Sequence, residues 1–270
     1  MNEKAKELLG KAKYDFADLC RVMEILRGEG GCPWDREQTH ESIRKNFIEE
    51  TYEVVEAIDT KDAHLLCEEL GDVLLQVVFH TQIEREAGRF TIDDVTDGIV
   101  KKLIYRHPHI FADTTAETAE TVLDNWDKLK AKEKHRDTVT ASMRGVPRPL
   151  PALMRAEKVG KRAAKVGFDF ATAADAAVKI AEETNEVLTA TDATRAEEVG
   201  DLLFAAVNVA RKCGVDPERA LSDATDKFVD RFAAVEDAVR ADGKTMEELP
   251  LSVLDTYWDR VKANRNGENT

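Results

Sequence analysis

Residues 65–79, LLCEELGDVLLQVVF, decide the fold. Leu65, Leu66, Leu70, Val73, Leu74, Val77 and Val78 recur at the 3.6-residue period of an amphipathic helix with a wide apolar face. Glu69 and Asp72 sit inside that run. Upstream, Ile48, Val54, Val55 and Ile58 keep the same period around Glu49-Glu50-Thr51-Tyr52-Glu53. No two-residue alternation bounded by hairpin turns occurs. Ala, Val, Leu, Glu, Lys and Arg dominate, and aromatics are only 6% of residues, a mix that favours helix over strand. The predicted class is all-α.

The pattern occurs twice. Glu182-Glu183-Thr184-Asn185-Glu186 is followed by Glu198-Val199-Gly200-Asp201 and LLFAAVN. Lys102 with Arg106 matches Lys227 with Arg231, and Trp126 with Lys130 matches Trp258 with Lys262. Trp34-Asp35 matches Phe168-Asp169. Ordered elements at offsets of about 130 residues mark two tandem copies of one helical module. Pro147, Pro149 and Pro151 crowd into VPRPLP after a polar run, which reads as a stiff linker. The expected layout is a module over 1–140, a linker over 141–152 and a second module over 153–270.

The chain has 270 residues, 39 basic and 53 acidic, for a net charge of −14. That balance argues against a non-specific nucleic-acid binder. No apolar run suits a membrane span, and the N-terminus has no apolar signal core. Cys20, Cys32, Cys67 and Cys213 are scattered, as expected of reduced thiols in a cytoplasmic protein.

Glu49 and Glu50 stand four and three residues before Glu53, so the three crowd one side of a helix. Glu69 and Asp72 share a side of the next. The second copy repeats this with Glu182, Glu183, Glu186, Glu198 and Asp201. One such acidic stretch is usually a solvated face. Two ordered copies set beside apolar runs need something to offset the repulsion: protonation, basic partners or a cation. Oxygen-only ligands suit a hard ion, Mg²⁺ or Mn²⁺, which joins carboxylates to phosphates. The cations Lys227, Arg231 and Lys262 suit phosphate oxygens, and the whole describes a nucleotide or polyphosphate site. Trp126 and Trp258 read more readily as core anchors than as base-stacking platforms. P-loop, G-x-G-x-x-G and G-x-S-x-G motifs are absent, and a single Glu37/His40 pair is too little for a di-iron bundle. His107 and His109 around Pro108 suggest a turn.

Gly31-Cys32-Pro33-Trp34-Asp35 with Glu37-Gln38-Thr39, the doubled acidic pattern, Arg106-His107-Pro108-His109, Leu150-Pro151-Ala152-Leu153 and Lys165-Val166-Gly167-Phe168-Asp169 together resemble the MazG family of all-α nucleoside triphosphate pyrophosphohydrolases. The resemblance runs from about residue 20 to 264. It implies Mg²⁺-dependent hydrolysis of NTPs, and of dNTPs, to monophosphate and pyrophosphate by a homodimer, with no nucleic-acid or membrane partner. It implies a catalytic second module and a mainly structural first one. The family's metal ligands fall on Glu182, Glu183, Glu186, Glu198 and Asp201, with Glu183 or Glu186 acting on the attacking water. Its substrate contacts fall on Lys227, Arg231, Trp258 and Lys262, and on Lys130 of the first module. Glu49, Glu50, Glu53, Glu69 and Asp72 stand as a second candidate site. The connection 187–197 is shorter than the family's usual one. The competing class is a non-catalytic helical dimer scaffold with vestigial acidic clusters.

Overall fold

The computed structural model of the chain describes residues 3–112 and 138–267, with Thr118, Val122, Trp126 and Leu129. Among the described residues there are helices and no strand, in line with the all-α expectation. No described helix is long and apolar enough to cross a membrane. The chain divides into compact units at 1–129 and 130–270.

The first unit holds α1 (Glu3–Leu9), α2 (Phe16–Arg27), α3 (Pro33–Glu37), α4 (His40–Thr60), α5 (Ala63–Glu86), α6 (Ile92–Arg106) and α7 (Pro108–Phe111). Thr39 caps α4: its hydroxyl accepts from the Ser42 amide, and the Thr39 amide donates in return to the Ser42 hydroxyl. Lys61, at φ 58°, ends α4 in the left-handed region, and the Asp62 carboxylate caps α5. The chain thus reverses in two residues, and α4 and α5 form a hairpin. Met23, Ile43, Val78 and Phe79 make the core where α2 covers it. At Pro108 the structure is helical rather than a simple turn: Pro108 occupies the first position of α7, where its missing N–H is harmless.

The second unit holds α8 (Val139–Arg144), α9 (Ala152–Ala164), α10 (Ala173–Thr189), α11 (Arg195–Lys212), α12 (Pro217–Ala241), a 3₁₀ turn (Met246–Glu248) and α13 (Leu251–Gly267). Thr172 and Asp175 cap α10 just as Thr39 and Ser42 cap α4, and α10 and α11 repeat the hairpin. Val235, Val239 and Tyr257 anchor α12 on α13, with Trp258 packed beside them.

Two expectations change. The 141–152 segment is not a free spacer. Its first residues complete α8, which packs on α9, and Arg162 of α9 donates to the Ser142 carbonyl. The apolar faces are also less covered than their periodicity suggests. Ile48, Val55, Ile58, Leu70 and Leu74 are exposed, as are Val178, Leu188 and Leu203 in the second unit. Periodicity shows which side of a helix is apolar but not what lies against it.

Candidate metal and nucleotide site

Both hairpins gather carboxylates. In the second unit, oxygens of Glu183, Glu186 and Glu198 all lie within 4.8 Å of one another. Glu183 is buried, Glu198 half-buried and Glu186 exposed. Glu182 and Asp201 belong to the same helices but stand outside this group. The carboxylates of Glu183, then Glu198 and Glu182, combine with partial desolvation to raise the Glu186 pKa above its ordinary value. Such crowding identifies a place where positive charge is favoured.

Part of that charge is supplied by Lys179, which sequence reading did not single out. Its ammonium lies 2.8 Å from Glu182 and 3.0 Å from Glu183, and those hydrogen bonds raise its own pKa. The signal was its position, three and four residues before the two glutamates. In the first unit Asn46 occupies the matching place, while Lys45 pairs with Glu49 at 3.0 Å.

Glu50, Glu69 and Asp72 of the first unit likewise bring oxygens within 4.8 Å of one another. Burial raises the Glu50 pKa most, followed by its hydrogen bond with Glu53; burial and then the Glu53 charge raise that of Glu69. Glu53 is therefore a member of the cluster's electrostatics, though outside its tightest group. In both units the donors are oxygen alone and three carboxylates can reach one point. This fits a hard divalent cation.

The residues expected to contact substrate in the second unit, Lys227, Arg231, Trp258 and Lys262, lie on α12 and α13. Among the described residues no hydrogen bond or ion pair joins Lys227, Arg231 or Lys262 to the acidic group. Trp258 is half-buried, with its ring centroid 5.2 Å from that of Phe228. Arg231 Nε is buried without a hydrogen-bond partner. Lys130 lies outside the described residues. In the first unit, Arg106 stacks on Trp126 at 5.4 Å, so Trp126 serves as an anchor.

The loop before α10 is fastened to α11. Asp169 takes hydrogen bonds from both terminal nitrogens of Arg211 and one from Lys212, 3.3 Å away, which hold its carboxyl well below the usual range. Arg211 also donates to Asn208 Oδ1 from Nε at 3.3 Å and Nη2 at 3.1 Å. A Cβ at Gly160 would come within 3.2 Å of both Arg211 Nε and Asn208 Oδ1, so glycine lets α9 lie over this network.

The MazG nucleotide pyrophosphohydrolase domain model matches residues 38–111. The nucleoside triphosphate pyrophosphohydrolase/pyrophosphatase MazG of Thermotoga maritima is 47% identical over 92% of this chain and 95% of its own length. The nucleoside triphosphate pyrophosphohydrolase of Escherichia coli K12 is 44% identical over 90% and 95%. YabN of Bacillus subtilis, described as uncharacterized, is 42% identical over 92% of this chain and 52% of its own length. Likeness at this level runs through both units and both carboxylate hairpins, and the chain belongs to the MazG nucleotide pyrophosphohydrolase family.

Proposed function

We propose that the chain hydrolyses nucleoside triphosphates, deoxynucleotides included, between the α and β phosphates, with Mg²⁺, or Mn²⁺ in its place, as a housekeeping activity on the cytoplasmic nucleotide pool. Family membership makes it a hydrolase of acid anhydrides. The observation that carries the finer reading is the convergence of Glu183, Glu186 and Glu198 on one point.

Those three, with Glu182 and Asp201 beside them, would hold the ion. A bound divalent ion supplies charge neutralisation to triphosphate oxygens and lowers the pKa of a coordinated water. Glu186, made more basic by its neighbours, is placed to accept a proton at its carboxylate, with buried Glu183 as the alternative base. Lys227, Arg231 and Lys262 neutralise the leaving pyrophosphate, and the open Nε of Arg231 supports an anionic partner there. The exposed apolar faces of both hairpins support a homodimer, because contiguous uncovered apolar surface marks an interface.

The test is product analysis across ribo- and deoxyribonucleoside triphosphates, with and without Mg²⁺. Monophosphate and pyrophosphate are expected, and Glu186→Ala should lower kcat by about 10² to 10³. A folded Glu186→Ala variant with undiminished turnover removes the site. No product from any nucleotide would instead favour the helical scaffold suggested by the same apolar faces. Sedimentation equilibrium should give a dimer mass; a monomer at micromolar concentration removes the homodimer.

A further inference from the structure

We propose that His40 and His80 of the first unit form a proton-operated latch, which holds the open end of the α4–α5 hairpin shut while the pair carries at most one extra proton and lets it part when both imidazoles are charged. Nothing in this depends on the triphosphate reading.

The first support is geometry. The hairpin turns at Lys61 and Asp62, so His40, at the first position of α4, and His80, in the last turns of α5, meet at its far end. His40 Nδ1 lies 2.7 Å from His80 Nδ1, and His40 Nε2 lies 2.5 Å from Glu84 Oε1. The imidazole planes are within 9° of each other, and their centroids are 5.0 Å apart. The rings therefore meet edge to edge, with the facing nitrogens aimed at one another. An ion bonded to both nitrogens in tetrahedral geometry would hold them about 3.3 Å apart. The contact is an N–H···N hydrogen bond.

The second support is the proton count. Hydrogen bonds from Arg89, at 2.5 and 2.6 Å, and from His40 hold the Glu84 pKa at about 2, so it is a carboxylate near neutral pH. A carboxylate only accepts, so His40 donates to it from Nε2. Neutral His40 then has a lone pair at Nδ1, and His80 donates to it. One added proton reverses this bond without breaking it: His40 donates from both edges and His80 accepts. A second added proton puts hydrogen on both facing nitrogens and sets two like charges in contact, and no tautomer keeps the pair joined.

The third support is the surroundings. Glu84 is buried, and His80 is half-buried with the Phe47 ring 5.8 Å away. Glu84 and Arg89 cancel in charge, and α4 adds exposed Glu41, whose pKa the charge of His40 helps to lower. From α2, Arg27 and Glu24 pair with Glu86 and Arg85 of α5. At the start of α6, Asp93 faces Cys20 and Asp94 caps with Thr91. A second imidazolium would thus meet the first with no fresh counter-ion in contact. Burial, and then the charge of His40, lowers the His80 pKa from 6.5. The stability this group contributes is present above pH 6.5 and is lost as pH falls through the lowered folded value.

The duplication supplies a control. Ala173, Val209 and Cys213 stand in α10 and α11 where the first unit has His40, His80 and Glu84. The second hairpin has a like cap and no latch.

The experiment records two-bond ¹H–¹⁵N spectra of the full chain labelled with ¹⁵N-histidine from pH 8.5 to 5. Amide exchange, corrected for its intrinsic pH dependence, is measured beside it in wild type and His80→Gln. His40 and His80 are expected to titrate as a coupled pair, in two steps about one pH unit apart or more. Protection of amides 44–48 in α4 should fall about tenfold between pH 7.5 and pH 5, and that of amides 177–181 in α10 less than twofold. His80→Gln should abolish the fall in α4. Independent single-step titration of the two histidines overturns the latch. So does an equal loss of protection in both helices, or a His80→Gln protein that keeps the wild-type fall. The titration is read on wild type, so the proposal stands or falls even where the variant does not fold.

Discussion

Replacing Lys179 with glutamine tests the electrostatic account of the second unit most directly. The ammonium stands 2.8 and 3.0 Å from Glu182 and Glu183, two of the carboxylates assigned to the ion. An incoming divalent cation must displace it or tolerate it. At about 5 Å in a water-like dielectric, repulsion between a charge of two and an ammonium weakens ion binding by about one order of magnitude. Lys179 and Glu182 are 37% and 52% exposed, so solvent screens the pair and the water-like value is the appropriate one. Lys179→Gln should therefore lower the half-saturating Mg²⁺ concentration roughly five- to thirtyfold. The assay is a Mg²⁺ titration of turnover at saturating nucleotide, paired with calorimetric Mg²⁺ binding without nucleotide. The mirror variant Asn46→Lys should weaken ion binding by the first unit. A folded Lys179→Gln protein with unchanged or higher half-saturation refutes the argument that this lysine competes with the ion.

Glu50, Glu69 and Glu186 have folded pKa values above their ordinary 4.5, so they contribute stability below that pH and lose it as pH rises through the elevated values. The rise in Tm on adding Mg²⁺ should thus be larger at pH 8 than at pH 5 in differential scanning fluorimetry; an equal rise at both contradicts the crowding. Glu84 moves the other way: hydrogen bonds from Arg89 and His40 lower it from 4.5 to about 2, so its contribution is present above pH 4.5 and lost as pH falls toward 2. Glu84→Gln should flatten the acid limb of a circular-dichroism pH titration between those limits, and an unaltered limb counts against it. Met23, 1% exposed in the first core, should cost about 3 kcal/mol on Met23→Ala in urea unfolding, and a change below 1 kcal/mol would show that α2 does not seal that core.

Much of this was readable in residues 65–79 and their copy. Helical period, paired carboxylates and the repeated order are local properties, and local properties survive folding. What escaped is what depends on neighbours. Ile48 and Leu70 have the period of buried residues yet lie exposed, because a helix records its apolar side and not its covering. Glu182 and Asp201 were grouped with Glu183, Glu186 and Glu198, but those two lie outside the closest set. VPRPLP reads as a breaker, and α8 ends before it, yet the helix on its upstream side is docked by Arg162. Phe168 was legible as the counterpart of Trp34 in a motif, and its exposure is set by the turn that ends α9.

The fastening of Asp169 by Arg211 has a consequence for altering this protein. The guanidinium that restrains the loop is also the group to which Asn208 and Gly160 are fitted. A repacking of α9 on α11 through position 211 therefore cannot leave the loop unchanged. Any substitution that removes that guanidinium will also loosen the segment that leads into the acidic helices.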